Sequence, residues 1–366
     1  MKTPTEKKFR FFVGIDVSRD FFDATIMHGK EVITHQKVEN SVTAIKGFIS
    51  ELKTIKGFRL CFCVFGMEHT GIYCNFLLTT LEKKRANIVH ENSLVIRNSL
   101  GLIRGKNDKV DSARIAGYLY KCRDQLSLWQ SKRDTIGKLC ILDSLRNKLA
   151  SQIRALKQTE KEIGCFLDKK TSLLRSNSCA GTVLAMHKDI EEIDNTIRSF
   201  IQKDERISLL MKWITSVPNI GEKTALQIVI KTNEFRDISD PKKFACFAGI
   251  APFPYESGKS VKQKTRVSHL SDGKMKSMLH LCAMGSLRSN PELMAYFKRK
   301  TETDGKNGML VLNAIRYKLV LRIFACVKGE RMFSNDYQPK AIKPDNDPAS
   351  NHEPDQVYEK TLVLSD

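Results

Sequence analysis

The segment FFVGIDVS, residues 11–18, decides the fold of this chain. Its apolar run predicts a buried β-strand, yet it carries one acid, Asp16. A carboxylate inside a buried strand destabilises the fold unless it is paired or serves a function. We therefore expect a central strand here and a functional role for Asp16.

Strand and helix signals follow this segment in a specific order. Apolar periodicity predicts the pattern β-β-β-α-β-α-β and then further helices. After the first strand, the predicted strands lie at 22–27, 32–38, 60–65 and 87–90, and the predicted helices begin at Ser41 and about Ile72. This order is typical of the ribonuclease H-like fold, a mixed α/β sheet whose first strand is central.

Three further acids lie at the ends of predicted elements. Glu68 ends the fourth strand, and Asp108 and Asp111 stand three residues apart at the start of a later helix, so they share one face. In the fold just described these positions converge on Asp16. Acids that meet would repel one another unless they bound hard cations, and oxygen ligands suit Mg²⁺ or Mn²⁺.

We therefore predict that these four carboxylates hold two divalent cations able to assist phosphoryl transfer. Each acid also has a plain structural explanation when taken alone. Asp16 could mark the end of a strand, and Asp108 and Asp111 could simply favour a helix N-terminus.

Net charge and composition indicate the class of partner. The formal charge of +20 favours a polyanion, and nucleic acid is the natural one. No apolar run approaches the ~20 residues of a membrane helix, and the N-terminus does not resemble a signal peptide, so we expect a cytoplasmic protein without a membrane partner. The ten cysteines are scattered without zinc-binding spacing and are predicted to be reduced.

Composition divides the chain into four predicted segments. Residues 1–130 form the metal-binding domain, and residues 131–213, nearly free of proline and rich in spaced Leu and Ile, form a helical, coiled-coil connector. Residues 214–333 form a mostly helical domain, whose turn at 217–221 resembles half of a helix-hairpin-helix that could hold a phosphate. Residues 334–366 are expected to be a disordered tail.

Short motifs along residues 10–333 resemble one family. They are GIDVS (14–18), MEHTGIY (67–73), KNDKVDSA (106–113), VPNIG (217–221), FAGIAP (247–252) and ESG (256–258). The chain resembles the DEDD transposases of the insertion-sequence 110 family and the related Piv-type DNA invertases. The resemblance implies a RuvC-like metal domain with Asp16, Glu68, Asp108 and Asp111 as its quartet. Asn107 stands where the family often has Thr, which leaves the following acid in place.

Ser257 is the second implied catalytic residue. From spacing alone, Ser257-Gly258 predicts only a turn, whereas the resemblance makes Ser257 a nucleophile, with Ser260 as its nearest competitor. Attack on a DNA phosphate would form a phosphoserine and conserve the phosphodiester bond energy, so rejoining would need no nucleotide cofactor. The basic residues around and after it are predicted to contact a nucleic-acid backbone: Lys259, Lys262, Lys264, Arg266, Lys274 and Lys276.

These observations predict a two-domain transposase that acts on donor and target DNA. The resemblance further implies a homo-oligomer, dimer or tetramer, and a structured noncoding RNA that guides target choice. Three alternatives stay open at this point. They are a Piv-like site-specific invertase, a Holliday-junction nuclease that uses only the quartet, and a nucleic-acid-binding protein without catalysis.

Overall fold

A five-stranded mixed sheet forms the centre of the first of two compact units. In the computed structural model the described residues are 9–99, 107–164, 166–257, 261–268 and 270–334. The units comprise residues 1–141 and 142–366. Among the described helices, none has the length and apolar character needed to cross a membrane.

The first unit alternates strands and helices. Its elements in chain order are β1 (Phe11–Val17), β2 (Phe21–His28), β3 (Glu31–Glu39), α1 (Val42–Leu52), β4 (Cys63–Glu68), α2 (Asn75–Lys83), β5 (Asn87–Glu91), α3 (Ser93–Ser99) and α4 (Asp108–Lys121). Short 3-10 helices at Leu60–Phe62 and Gly71–Cys74 precede β4 and α2. The predicted order of elements is confirmed.

The strand order in the sheet is β3-β2-β1-β4-β5. The first three strands form an antiparallel meander, whereas β4 pairs parallel with β1 and β5 pairs parallel with β4. The sheet is therefore mixed, and its first strand is central, as the sequence predicted. The parallel pairing places the carboxyl ends of β1, β4 and β5 at one edge.

Two different cores cover the faces of this sheet. Val13 and Ile15 of β1 face a core that includes Ile45 and Phe48 of α1 and Leu77 of α2. On the opposite face lies a core of other residues, among them Phe12, Val64, Val89, Ile115 and Leu119, which α4 completes. Because side chains alternate along a strand, Gly14 and Asp16 belong to the face that α4 covers.

Helix α4 touches the backbone of β1 at Gly14. A Cβ atom on Gly14 would stand 2.2 Å from the backbone oxygen of Ser112 and 2.2 Å from the backbone nitrogen of Ala116. On the neighbouring strand, a Cβ on Gly66 would meet Leu119 at 2.7 Å. Two glycines thus allow the helix to approach the sheet more closely than any other residue would permit.

Long helices begin the second unit. Helix α5 (Asp134–Gly164) enters it from the first unit, and α6 (Lys169–Lys203) follows. Arg146 pairs with Asp194 at 2.6 Å and Lys157 contacts His187 at 3.4 Å, so the two helices run antiparallel. Residues 131–213 thus contain two long helices and most of a third, and their role as a coiled-coil connector stays a prediction.

The rest of the second unit is mostly helical. Its elements are α7 (Glu205–Thr215), α8 (Glu222–Lys231), α9 (Pro241–Phe247), β6 (Pro252–Ser257), β7 (Val261–Val267), α10 (Gly273–Ser289), α11 (Pro291–Lys298), a short π-helix (Arg299–Thr303) and α12 (Gly308–Lys328). Buried residues such as Ile214, Ile228, Phe244, Leu279 and Ile315 form its interior. The predicted tail falls outside the described residues from position 335 onward.

The hairpin of β6 and β7 was not anticipated. The sequence of β6 contains Pro252 and Pro254, and prolines argue against a strand inside a sheet. They are accommodated because β6 has one partner only, and the register shifts between Phe253 and Tyr255, at Pro254.

Replacing Gly14 with alanine should destabilise the first unit strongly. The new methyl group would overlap the backbone of α4 at Ser112 and Ala116, and backbone atoms cannot rotate away as a side chain can. We therefore expect a loss of about 3 kcal/mol or more in the free energy of unfolding. Gly117→Ala is the control within α4 itself, since no described atom beyond its own helix backbone lies within 4 Å of where a Cβ would stand. Urea unfolding should show that control equal to or slightly above wild type; similar losses in both variants would contradict the close contact.

Candidate functional site: a carboxylate cluster on the sheet

Strand β1 places Asp16 next to its carboxyl end on the face covered by α4. The residues around it are buried, and Asp16 itself is half-buried. Across the antiparallel pair its register partner is a second acid, Asp23 of β2. Residues paired in this way point to the same face, so two carboxylates already share this part of the sheet.

Strand β4 adds Glu68 beside them. The parallel register pairs Ile15 with Met67, and the next residue along β4 is Glu68, level with Asp16. Glu68 is the last residue of its strand and is partly exposed. The two predicted acids on the sheet are therefore neighbours on adjacent strands.

Helix α4 brings the last two acids from above the sheet. The side chain of Asn107 accepts a hydrogen bond from the backbone N–H of Lys109 and caps the helix, so Asp108 and Asp111 both lie in its first turn. The close contact at Gly14 sets this turn beside the end of β1. Carboxylates are favoured there because the helix N-terminus carries partial positive charge.

Electrostatics show that the predicted residues meet. Burial first, and then the charges of Asp108, Asp111, Glu68 and Asp23 in that order of size, raise the pKa of Asp16 to about 6. Each of the other three predicted acids thus lies close enough to oppose the ionisation of Asp16. The fold brings all four together, and it adds Asp23, which the sequence reasoning missed.

The four carboxylates do not form a compact metal site as they stand. Within the described residues, no three Asp, Glu, His or Cys side chains stand close enough to share one metal ion. One oxygen of Asp111 accepts a hydrogen bond from Arg114 at 2.6 Å. The donor set itself, carboxylate oxygens only, is of the kind that Mg²⁺ or Mn²⁺ prefers.

Two histidines next to Glu68 were also missed. The ring centroids of His69 and His90 lie 3.7 Å apart, and the ring planes are tilted by 34° to each other. Burial, and then the neighbouring His69, lower the pKa of His90 to about 4, so its ring is neutral at pH 7. The signal for these residues was weak, because each is a single histidine at the end of a strand.

Ser257 lies in the second unit, at the end of β6. Its backbone pairs with Val261 across the hairpin, whereas its side chain and residues 258–260 are outside the described part. The role of Ser257 therefore stays a prediction. Of the predicted basic stretch, Arg266 and Lys274 are exposed, and Lys274 pairs with Asp143 at 3.3 Å.

The turn at 217–221 joins α7 to α8 as the sequence suggested. Asn219 adopts a left-handed backbone conformation with φ of 67°, and its side-chain amide donates to the hydroxyl of Ser289 at 2.5 Å. Glu222 occupies the first turn of α8. Its negative charge would weaken a phosphate contact at this helix N-terminus, so phosphate binding there stays a prediction.

Replacing Asp16 with asparagine should stabilise the metal-free protein at neutral pH. Because folding raises the pKa of Asp16 to about 6, the ionised carboxylate opposes the folded state, and the protein loses stability as the pH rises towards that value. We expect a gain of roughly 1–2 kcal/mol at pH 7.5, discounted for partial exposure, and almost none at pH 4. Urea unfolding in EDTA measures it, with the exposed Asp20→Asn as control; an equal effect at both pH values would contradict the assignment.

Comparison with known proteins gives the family of this chain. Residues 13–163 match a transposase model of the IS110 DEDD type, and residues 211–298 match the model described as Transposase IS116/IS110/IS902 family. Pilin gene-inverting proteins of Moraxella lacunata and Moraxella bovis are 24% and 23% identical to it over 330 residues, which cover 88% of this chain and 97% of each relative. The two models describe one transposase family and match consecutive parts of the chain, so the protein belongs to the IS110 family of transposases.

Proposed function

We propose that this transposase cleaves and exchanges DNA strands with the help of divalent metal, using Ser257 as its nucleophile. The observation that carries the proposal is the position of Glu68, Asp108 and Asp111 around Asp16 at the end of β1. Burial, and then the charges of these acids and of Asp23, raise the pKa of Asp16 to about 6. Acids concentrated in this way destabilise the fold, so their presence points to a catalytic function.

We further propose that the first unit is a ribonuclease H-like, RuvC-like domain. The strand order β3-β2-β1-β4-β5, with an antiparallel meander and parallel β4 and β5, supports this identification. So does the position of the acids, at the carboxyl ends of β1 and β4 and on the helix that covers them.

The quartet would hold Mg²⁺ or Mn²⁺, which when bound would stabilise the negative charge that develops on the scissile phosphate. In the proposed reaction the oxygen of Ser257 attacks the phosphorus, the bond from phosphorus to one DNA oxygen breaks, and the proton of the serine hydroxyl passes in net terms to that leaving oxygen. The DNA strand leaves as a free hydroxyl, and the phosphate stays on the serine as a diester. Attack by the hydroxyl of another strand reverses these steps and frees Ser257.

The charge distribution supports DNA as the substrate. A net charge of +20 would draw a phosphate backbone to the protein through long-range attraction and counterion release. The family resemblance supports two further proposed partners, a structured noncoding RNA as guide and further copies of this chain in a dimer or tetramer. We place the reaction in the cytoplasm, where the proposed DNA substrate would be.

A site-specific invertase is the second candidate. It is favoured by the pilin gene-inverting proteins, which resemble this chain over 97% of their own length. Both candidates use the same residues and differ in their DNA sites. Incubation with paired inverted sites and with separate donor and target DNA distinguishes them, because an invertase recombines only the former.

Amide variants of the quartet should abolish strand exchange. Replacing Asp16, Glu68, Asp108 or Asp111 by its amide removes a proposed metal ligand with little change in size, so we expect a loss of at least ~100-fold. Asp20→Asn, on the exposed turn after β1, should keep full activity. Wild-type exchange that continues in EDTA would contradict metal dependence.

The variant Ser257→Ala tests the nucleophile separately from metal and DNA binding. It removes the attacking oxygen with little change in size and charge, so DNA binding should persist while exchange disappears. With a suicide substrate, denaturing electrophoresis should trap a protein–DNA adduct with wild type and with the control Ser260→Ala, but not with Ser257→Ala. An adduct that maps to Ser260, or exchange without Ser257 as in a junction nuclease, would refute the assignment.

A further inference from the structure

A chain of polar side chains links β2 and β3 to helix α4. The Nε2 atom of His35 lies 2.9 Å from the Oδ1 atom of Asp23, and its Nδ1 atom lies 3.2 Å from the hydroxyl of Thr25. That hydroxyl lies 2.8 Å from the hydroxyl of Ser112, which in turn donates to the backbone oxygen of Lys109 at 3.0 Å. Four hydrogen bonds thus run from the sheet into the first turn of α4.

The linked polar side chains are buried at positions where apolar packing would be expected. Thr25 is 1% exposed, Ser112 0% and Asp23 8%. Thr25 pairs with Gly14 and Asp23 pairs with Asp16, so the chain lies on the face of the sheet that carries the carboxylate cluster. Buried polar groups stabilise a fold less than apolar ones of equal size, which suggests that these groups are retained for the geometry that they set.

The four hydrogen bonds together need four protons. The linked side chains end on an oxygen at each side, the carboxyl group of Asp23 and the carbonyl of Lys109. When all four bonds are made, the hydroxyls of Thr25 and Ser112 supply one proton each, and Nδ1 of His35 supplies a third to Thr25. The fourth proton lies between Nε2 of His35 and Oδ1 of Asp23, where either atom can carry it.

We infer that Thr25, His35 and Ser112 are positioning residues for the carboxylate cluster, holding Asp108 and Asp111 in place above Asp16. Ser112 directly follows Asp111, and its bond to Lys109 lies within the same turn that carries both acids. The Thr25–Ser112 contact ties that turn to the sheet, while the contact of His35 with Asp23 fixes the acid that faces Asp16. The inference rests on the proposed metal site.

The variant pair Thr25→Val and Thr25→Ser tests it. Valine keeps the shape and removes the hydroxyl, which breaks the chain at its centre, whereas serine restores the hydroxyl. Binding of Mn²⁺ alone, followed by electron paramagnetic resonance, should weaken about 10- to 100-fold in Thr25→Val and return to near the wild-type value in Thr25→Ser. DNA strand exchange with Mn²⁺ should follow the same order.

A second variant covers the case in which Thr25→Val does not fold. The His35→Gln variant changes a partly exposed residue and removes the ring that bridges Asp23 and Thr25, so Mn²⁺ binding should weaken here too. Glu31→Gln, on the exposed start of the same strand, is the control and should bind as wild type.

The outcomes separate this inference from the proposed function. Wild-type protein that binds no Mn²⁺ refutes the metal site itself. If Thr25→Val binds Mn²⁺ with the affinity of wild type, the positioning role alone is refuted. If Thr25→Val does not fold, wild-type affinity in His35→Gln refutes that role. Equal loss in Thr25→Val and Thr25→Ser also refutes it, because the hydroxyl would then not be the cause.

Discussion

The contact between helix α4 and strand β1 at Gly14 is the constraint on which the first unit depends. It brings helix backbone to where any side chain would stand, and it thereby sets the first turn of α4 at the end of the central strand. The position of Asp108 and Asp111 relative to Asp16 follows from this contact. The acids lie on a strand, on its parallel neighbour and on a helix. The packing of the backbone sets their relative positions, independently of contacts between their side chains.

The same arrangement brings negatively charged side chains close enough to repel one another. Acids at the ends of β1 and β4 lie near acids at the start of α4, and burial together with these charges raises the pKa of Asp16. Two devices moderate the charge. Arg114 contacts Asp111, and His35 contacts Asp23. The unit thus tolerates carboxylates that its packing brings near one another.

The sequence predicted the frame of the first unit because its signals are local. Alternation of apolar residues identified the strands, and an acid inside an apolar strand marked Asp16. Asp23 and Thr25 carried a similar signal, two polar residues at buried positions of β2, but their partners His35 and Ser112 are distant in the chain and could not be paired without the sheet register. The β6–β7 hairpin was missed because of a misleading local signal. Prolines in β6 argue against a strand, yet a strand with one partner tolerates them.

That hairpin gives the two proposed catalytic groups very different local stabilities. A two-stranded ribbon is marginal by itself, whereas the central strand of a five-stranded sheet opens only when the whole unit unfolds. Backbone amides of β6 and β7 would therefore exchange with solvent hydrogen through low-energy local openings, and those around Asp16 only through global ones. The proposed nucleophile lies at the end of an element whose shape a bound DNA strand could still adjust, whereas Asp16 lies on a strand that DNA could not reshape.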